Sequence, residues 1–232
     1  RDMEIENSGD FILYLGGAET SKNYLPMPKS ANMLIVRQTY KNRIKQTHAK
    51  INIKNLDSKP IPEILTTEKL ENQLNQTLAF VSGTASTFLK WVNEFKLNHK
   101  NSLPLGDQSF FQAAGGDPKI CYLHGYYEFN EDECLQIITD IPECEYWNFQ
   151  LENYWMESLD YRHYPIHIND SSATLEDDNS IIITISHSPI NIKNNLITEG
   201  RNNGAMLLRW IGSTNNPIPE VKIKKIKSIE IN

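Results

Sequence analysis

The stretch Glu145-Tyr-Trp-Asn-Phe-Gln-Leu-Glu152 alternates bulky and polar side chains residue by residue. A strand sends successive side chains to opposite faces. Trp147, Phe149 and Leu151 are therefore predicted to enter a core, while Tyr146, Asn148, Gln150 and Glu152 share the other face. Around this strand, further short apolar runs are predicted as strands at 120–129, 134–140, 164–168, 173–176, 180–187, 205–211 and 221–229. Asp177-Asp178-Asn179 reads as a tight hairpin turn between two of them. Many short strands with regular turn signals point to a sandwich or jelly roll.

Towards the N-terminus, Phe11-Ile-Leu-Tyr-Leu15, Met33-Leu-Ile-Val-Arg-Gln-Thr-Tyr40 and Ala49-Lys-Ile-Asn-Ile-Lys-Asn55 also read as strands. Pro60 and Pro62 break that pattern. From Thr67 to about Leu97 the period becomes helical, with Leu70, Leu74, Leu78, Val81, Ala85, Phe88, Val92 and Phe95 at three- or four-residue steps. Thr66 or Thr67 can cap the start, and the apolar stripe is expected to lie on a sheet. Residues 98–118 read as a loop. The expected class is mainly β with one long helix (α+β), a jelly-roll-like β-sandwich. Residues 1–62 would supply N-terminal strands joining the main sheet, 63–114 the helix and loop, and 115–232 the jelly-roll-like domain.

Composition narrows the function classes. The chain has 232 residues, 39% hydrophobic and 22% charged, and no apolar run approaches the ~20 residues that span a bilayer. Its net charge of −6 is uneven: residues 111–220 carry 5 Lys+Arg against 17 Asp+Glu. That acidic middle disfavours nucleic acid, whose phosphates need a basic footprint, and anionic membrane surfaces. It tolerates a cation or a neutral, hydroxyl-rich ligand. Cys121, Cys134 and Cys144, odd in number and without a Cys-x-x-Cys, argue against a disulfide framework or a zinc site and read as free thiols. The chain opens at Arg1 without an initiator Met or an apolar leader, which reads as a processed end or a fragment. A soluble protein is expected, either cytoplasmic or exported after loss of a leader.

The residues that can carry chemistry follow from these elements. Tyr146, Asn148 and Gln150 present flat apolar area together with amide donors and acceptors, which suits a small neutral polar ligand. Trp155 follows them directly, and His124 lies within a predicted strand. Glu157, Asp160 and Arg162 permit general acid–base work, or form an ion-pair knot with Arg162 bidentate on one carboxylate. Arg37 and Arg209 each interrupt an apolar strand; once buried, each needs a partner, for which Glu128, Glu157 and Asp160 are candidates. No spacing suits a metal: His163 and His167 are separated by Pro165, which forbids a shared helical face. No nucleotide-binding glycine loop, nucleophile elbow or zincin motif occurs, so no cofactor is expected.

Gly115-Gly-Asp-Pro-Lys-Ile120, Tyr146-Trp-Asn-Phe-Gln-Leu151 and Trp155-Met-Glu-Ser-Leu-Asp-Tyr161 resemble the domain-of-unknown-function family numbered 1214. So do Ser186-His187-Ser-Pro189, Gly200-Arg-Asn-Asn-Gly-Ala-Met-Leu-Leu-Arg-Trp210 and, earlier, Asn23-Tyr-Leu-Pro-Met-Pro28 with Ile35-Val-Arg-Gln38. The resemblance covers residues 10–228 and departs at Asn194-Asn-Leu-Ile197, where relatives tend to carry Asn-Trp-Leu. It implies a β-rich, jelly-roll-like domain whose N-terminal portion is absent here, and it supplies no catalytic residue. The leading expectation is a binding protein with a cleft near Trp147–Arg162 for a carbohydrate-like ligand. The alternatives are a hydrolase- or lyase-type enzyme using Glu157 or Asp160 with Arg162, and a structural subunit that self-associates or joins the missing N-terminal segment.

Overall fold

The structure, a computed structural model, describes residues 3–19, 22–31, 33–56 and 64–229. Pro60 and Pro62 lie outside the described residues. The chain divides into two units, Arg1–Tyr40 with Thr47–Ile51, and Lys41–Gln46 with Asn52–Asn232.

In the first unit, β1 (Tyr14–Leu15) pairs in parallel with β2 (Tyr24–Leu25). The strands expected at 33–40 and 49–55 do not form. Their alternation has no buried face to satisfy: Ile35, Val36 and Ile53 are each about half exposed or more. Backbone groups there find side chains instead. The Gln38 amide accepts from Ala49 N at 2.9 Å and donates to Ala49 O at 3.3 Å. Arg37, expected within a buried strand, is exposed.

The second unit begins its regular structure with α1 (Thr67–Asn98). Thr66 caps it by accepting from Lys69 N at 3.2 Å, and Glu68 suits the positive end of the helix dipole. α2 (Gln108–Ala113) lies within the expected loop, capped by Asp107, which accepts from Ser109 N at 3.0 Å. Then come β3 (Ile120–Glu128), β4 (Glu133–Asp140), β5 (Tyr146–Leu151), β6 (His167–Asn169), β7 (Ser180–Ser186), β8 (Asn195–Ile197), β9 (Asn203–Ile211) and β10 (Glu220–Lys225). A short 3-10 turn at Ile226–Ser228 replaces the last residues of the final expected strand.

Two four-stranded sheets result, ordered β10-β4-β7-β8 and β3-β9-β5-β6. Every pairing is antiparallel except the parallel β7–β8. Among the described residues, the strands of both sheets begin at Ile120 or later. Period-2 alternation places Leu135, Ile137, Ile181, Ile183 and Ile185 of one sheet and Leu123, Phe149, Leu151, Leu208 and Trp210 of the other in one buried cluster. Burial of such side chains contributes roughly 1.5–3 kcal/mol each. The mainly β, α+β class is therefore observed. Among the described residues, no helix is long and apolar enough to cross a membrane.

The second cluster sits on the other side of β3 and β9. There Val92 and Phe95 of α1, with Phe111 of α2, pack on Tyr126 and Ala205. Only this C-terminal third of the helix stripe is covered. Leu74, Leu78 and Val81 are more than half exposed, against the expectation that the whole stripe meets a sheet. The outer edge of β3 is closed by residues 99–108 rather than by a strand. Gln108 holds Tyr122 N and O, Asn101 holds Glu128 N and O, and His99 O accepts from Tyr126 N at 3.1 Å. An edge so covered offers no unpaired ladder to another chain.

Candidate functional site

The outer face of the β3-β9-β5-β6 sheet carries the polar half of the alternation along residues 145–152. Register sets Tyr122, Arg209, Asn148 and Asn169 in one row across the four strands. The next row is His124, Leu207, Gln150 and His167. Glu152 follows the end of β5, its backbone N–H bonded to Ala205 O at 2.9 Å. The faces alternate as read: Trp147, Phe149 and Leu151 are buried in the core, and Tyr146, Asn148 and Gln150 are half-buried on the opposite side.

The electrostatics of this face are incomplete. Arg209 Nη1 donates to Asn148 Oδ1 at 3.1 Å. Among the described residues no carboxylate oxygen comes within the 4.0 Å of an ion pair with Arg209. Glu152 is 4% exposed; its Oε1 accepts from Gln150 Nε2 at 3.4 Å, and its Oε2 is buried without a partner. Burial pushes the Glu152 carboxyl up to about 7, against the opposing pull of the Arg209 charge. Burial likewise lowers the Arg209 guanidinium, which Glu152 partly restores. Tyr146 Oη accepts from Asn169 Nδ2 at 3.2 Å and keeps its own proton to donate.

His124 belongs to the same sheet face but not to its open part. Its ring stacks on Phe95 at 4.8 Å and meets Phe111 at 4.6 Å, and its Nδ1 is buried without a partner. Burial first, then the charges of Arg209 and His99, push it down to about 3, so it is a neutral ring. Phe95 and Phe111 thus cover His124, and Leu207 stands between it and Gln150, with which the sequence grouped it.

The loop after β5 resolves the remaining candidates. Trp155 is about half exposed and stands edge-on to Tyr154, whose hydroxyl donates to Asn93 Oδ1 of α1 at 2.7 Å. Arg162 forks onto Asp160, Nε to Oδ1 and Nη2 to Oδ2, both at 2.9 Å. Those bonds hold the Asp160 carboxyl down to about 2. Glu157 accepts from Asn153 Nδ2 at 2.7 Å within its own turn. This is the ion-pair knot, with the two carboxylates on separate local partners. The partners proposed for Arg209 are corrected: Glu128 pairs with Lys100 at 2.5 Å, Asp160 with Arg162, and Glu157 with Asn153.

Glu152 and Arg209 were visible in the sequence, one at the end of the polar face and one inside an apolar strand. Their electrostatic influence on each other depends on β9 pairing with β5, which no local pattern states. His187 is spoken for, bonded to Thr198 Oγ1 at 2.7 Å and Phe129 O at 3.1 Å. Among the described residues no three His, Cys, Asp or Glu side chains gather as a metal would require. Cys121 and Cys134 are buried free thiols, Cys144 a half-buried one, and burial raises all three.

An uncharacterised protein from Burkholderia cenocepacia has a solved structure similar to this chain, with a TM-score of 0.91 and 33% identity over 98% of the chain. The chain spans 63% of that protein's length. A protein from Vibrio parahaemolyticus gives a TM-score of 0.41 and 14% identity over 72% of this chain and 48% of its own. No family model matches the chain, and no curated protein matches it.

Proposed function

We propose that this chain is a binding protein whose outer β3-β9-β5-β6 face takes a small, polar, carbohydrate-like ligand. The observation that carries the reading is the unfinished bonding of Glu152: a carboxyl almost wholly buried, with one oxygen unpaired, beside Gln150. Buried polar atoms are almost always paired in folded proteins, and exceptions concentrate where a ligand or water completes them. Asn148 and Gln150 stand half-buried on the same face, and amides match hydroxyl groups as both donors and acceptors. This moves the site from the Trp147–Arg162 stretch to one face of the sheet, with Trp155 at the loop beyond it.

The same reading holds that the two four-stranded sheets form a jelly-roll-like sandwich. The cluster drawn from both sheets supports it. Kinship with the family numbered 1214 belongs to the proposal too and rests on the motifs quoted above.

The test is ligand-induced thermal shift across a broad panel of neutral sugars, polyols and sugar acids. At least one is expected to raise Tm, and Asn148→Ala with Gln150→Ala is expected to abolish that shift while circular dichroism stays unchanged. No shift anywhere in the panel, or a shift indifferent to both substitutions, removes the reading.

A second reading, a subunit of an assembly, is favoured by the uncovered stripe of α1, where Leu74 is 60% and Leu78 66% exposed. Exposed apolar stripes of this kind mark interaction surfaces. Sedimentation velocity of the full chain tests it: a monomer at every accessible concentration ends the self-associating form of this reading.

A further inference from the structure

Arg209 stands mid-sheet with its charge unmatched at close range. β9 lies between β3 and β5, so Tyr122 and Asn148 flank it. Its hydrogen bond to Asn148 Oδ1 occupies Nη1, and the described residues give the other N–H groups no acceptor. Glu152, whose field Arg209 feels, stays beyond ion-pair distance and keeps Oε2 unpaired. A half-buried cation without a contact counter-ion costs free energy that a bound anion recovers. A guanidinium fork with open donors matches a carboxylate at two points. A phosphate is the poorer match: the cation is single, and a dianion would also face Glu152.

We infer that the ligand is a hydroxylated carboxylic acid, its carboxylate seated on the Arg209 guanidinium and its hydroxyls directed to Gln150 and Glu152. The inference rests on the binding reading above and narrows it from sugars in general to sugar acids. Neutral Glu152 donates its proton to a hydroxyl oxygen, and charged Glu152 accepts from a hydroxyl; either state completes the bond that Oε2 lacks. Tyr146, with a proton to donate, lies on the same face one step beyond Asn148.

The experiment is calorimetric titration of the full chain with D-gluconate, D-glucuronate, D-glucose and inorganic phosphate. At least one acid is expected to bind tenfold or more tighter than glucose, and added sodium chloride to weaken the acid alone. Arg209→Gln is expected to erase the preference and Arg209→Lys to keep part of it, with thermal melts confirming that both variants fold. The comparison of acid with glucose needs no variant, so a misfolded substitution does not spoil the test. Glucose binding as tightly as the acids, phosphate binding tighter than either, or acid affinity unmoved in a folded Arg209→Gln overturns the carboxylate and leaves the binding reading in place. No heat from any sugar or sugar acid overturns both.

Discussion

The carboxamide of Asn101 lies against the backbone of Glu128 as a neighbouring strand would, donating from Nδ2 to Glu128 O and accepting at Oδ1 from Glu128 N, both at 2.9 Å. Among the described residues the same two-point pairing recurs four times: Asn23 with Glu4, Gln38 with Ala49, Gln108 with Tyr122, and Asn194 with Thr174. An amide side chain sets an N–H donor and an oxygen acceptor side by side in one plane, which is what an edge residue presents. A chain with 24 Asn can thus close strand edges without spending strands on them.

Asn101 has a second role, because its φ of 48° lies in the left-handed region that Asn tolerates better than most residues. The two roles separate by substitution. Asn101→Gly keeps the backbone and loses the amide, and is expected to cost about 1–2 kcal/mol in urea unfolding. Asn101→Ala loses both and is expected to cost roughly 1 kcal/mol more. Hydrogen exchange at the Glu128 amide should accelerate in both variants; unchanged protection there contradicts the pairing.

Gly125 lets the 99–108 segment approach β3. A Cβ there would press on Ser102 O and sit 2.8 Å from Met206 Cε and 3.2 Å from Leu103 Cδ2. One of those contacts is backbone, which cannot rotate away. Gly125→Ala is expected to lose stability at the upper end of the roughly 1–3 kcal/mol typical of overpacking, or beyond it. A melting temperature equal to that of the unsubstituted chain contradicts this account of the edge.

Local pattern carried some elements and not others, for identifiable reasons. Trp147, Phe149 and Leu151 read correctly because both the period and the burial belong to one strand. The start of α1 read correctly because Thr66 caps it through its own first turn. Residues 33–40 show the same apolar character and form no strand, since a strand needs a partner and sequence does not supply one. At 173–176 the expected strand is replaced by Asn194, whose amide takes Thr174 N and O from 20 residues away. α2 was missed because six residues leave too little periodicity, although Asp107 before Phe110-Phe111 is a usable cap signal. At the site, the Asn148 and Gln150 face was legible, whereas Arg209 received its partner from strand order alone.

Glu152 and His124, both buried, contribute opposing slopes to the pH dependence of stability. Glu152 rises from its usual 4.5 to about 7, so the unfolded chain holds fewer protons there and stability is lost as pH climbs through that interval. His124 falls from 6.5 to about 3, so its contribution is lost as pH drops through that interval. Between pH 4.5 and 6.5 the two slopes oppose each other. Glu152→Gln is expected to leave a profile that climbs to about pH 6.5 and gains on the order of 2–3 kcal/mol over the parent near pH 8. His124→Phe is expected to flatten the acid limb instead. Urea midpoints from pH 3.5 to 8 measure both; parallel profiles for parent and Glu152→Gln would show that this carboxyl titrates normally.

The apolar stripe of α1 makes a sharper demand, because one face has two different fates along its length. Phe95 is 2% exposed, stacked on His124 at 4.8 Å and packed in the cluster with Val92, Phe111 and Tyr126. Leu78, on the same stripe, is 66% exposed. Phe95→Ala removes a buried ring and leaves a hole between helix and sheet, at an expected cost of about 3–5 kcal/mol. Leu78→Ala exchanges one good helix former for a better one on an open surface and is expected to stay within about 0.5 kcal/mol of the parent. Any larger loss at Leu78 that grows with protein concentration means that a second copy covers the stripe in solution, since only an intermolecular contact makes a stability increment depend on concentration. Urea unfolding of both variants at two concentrations tenfold apart distinguishes a solvent-facing stripe from an interface.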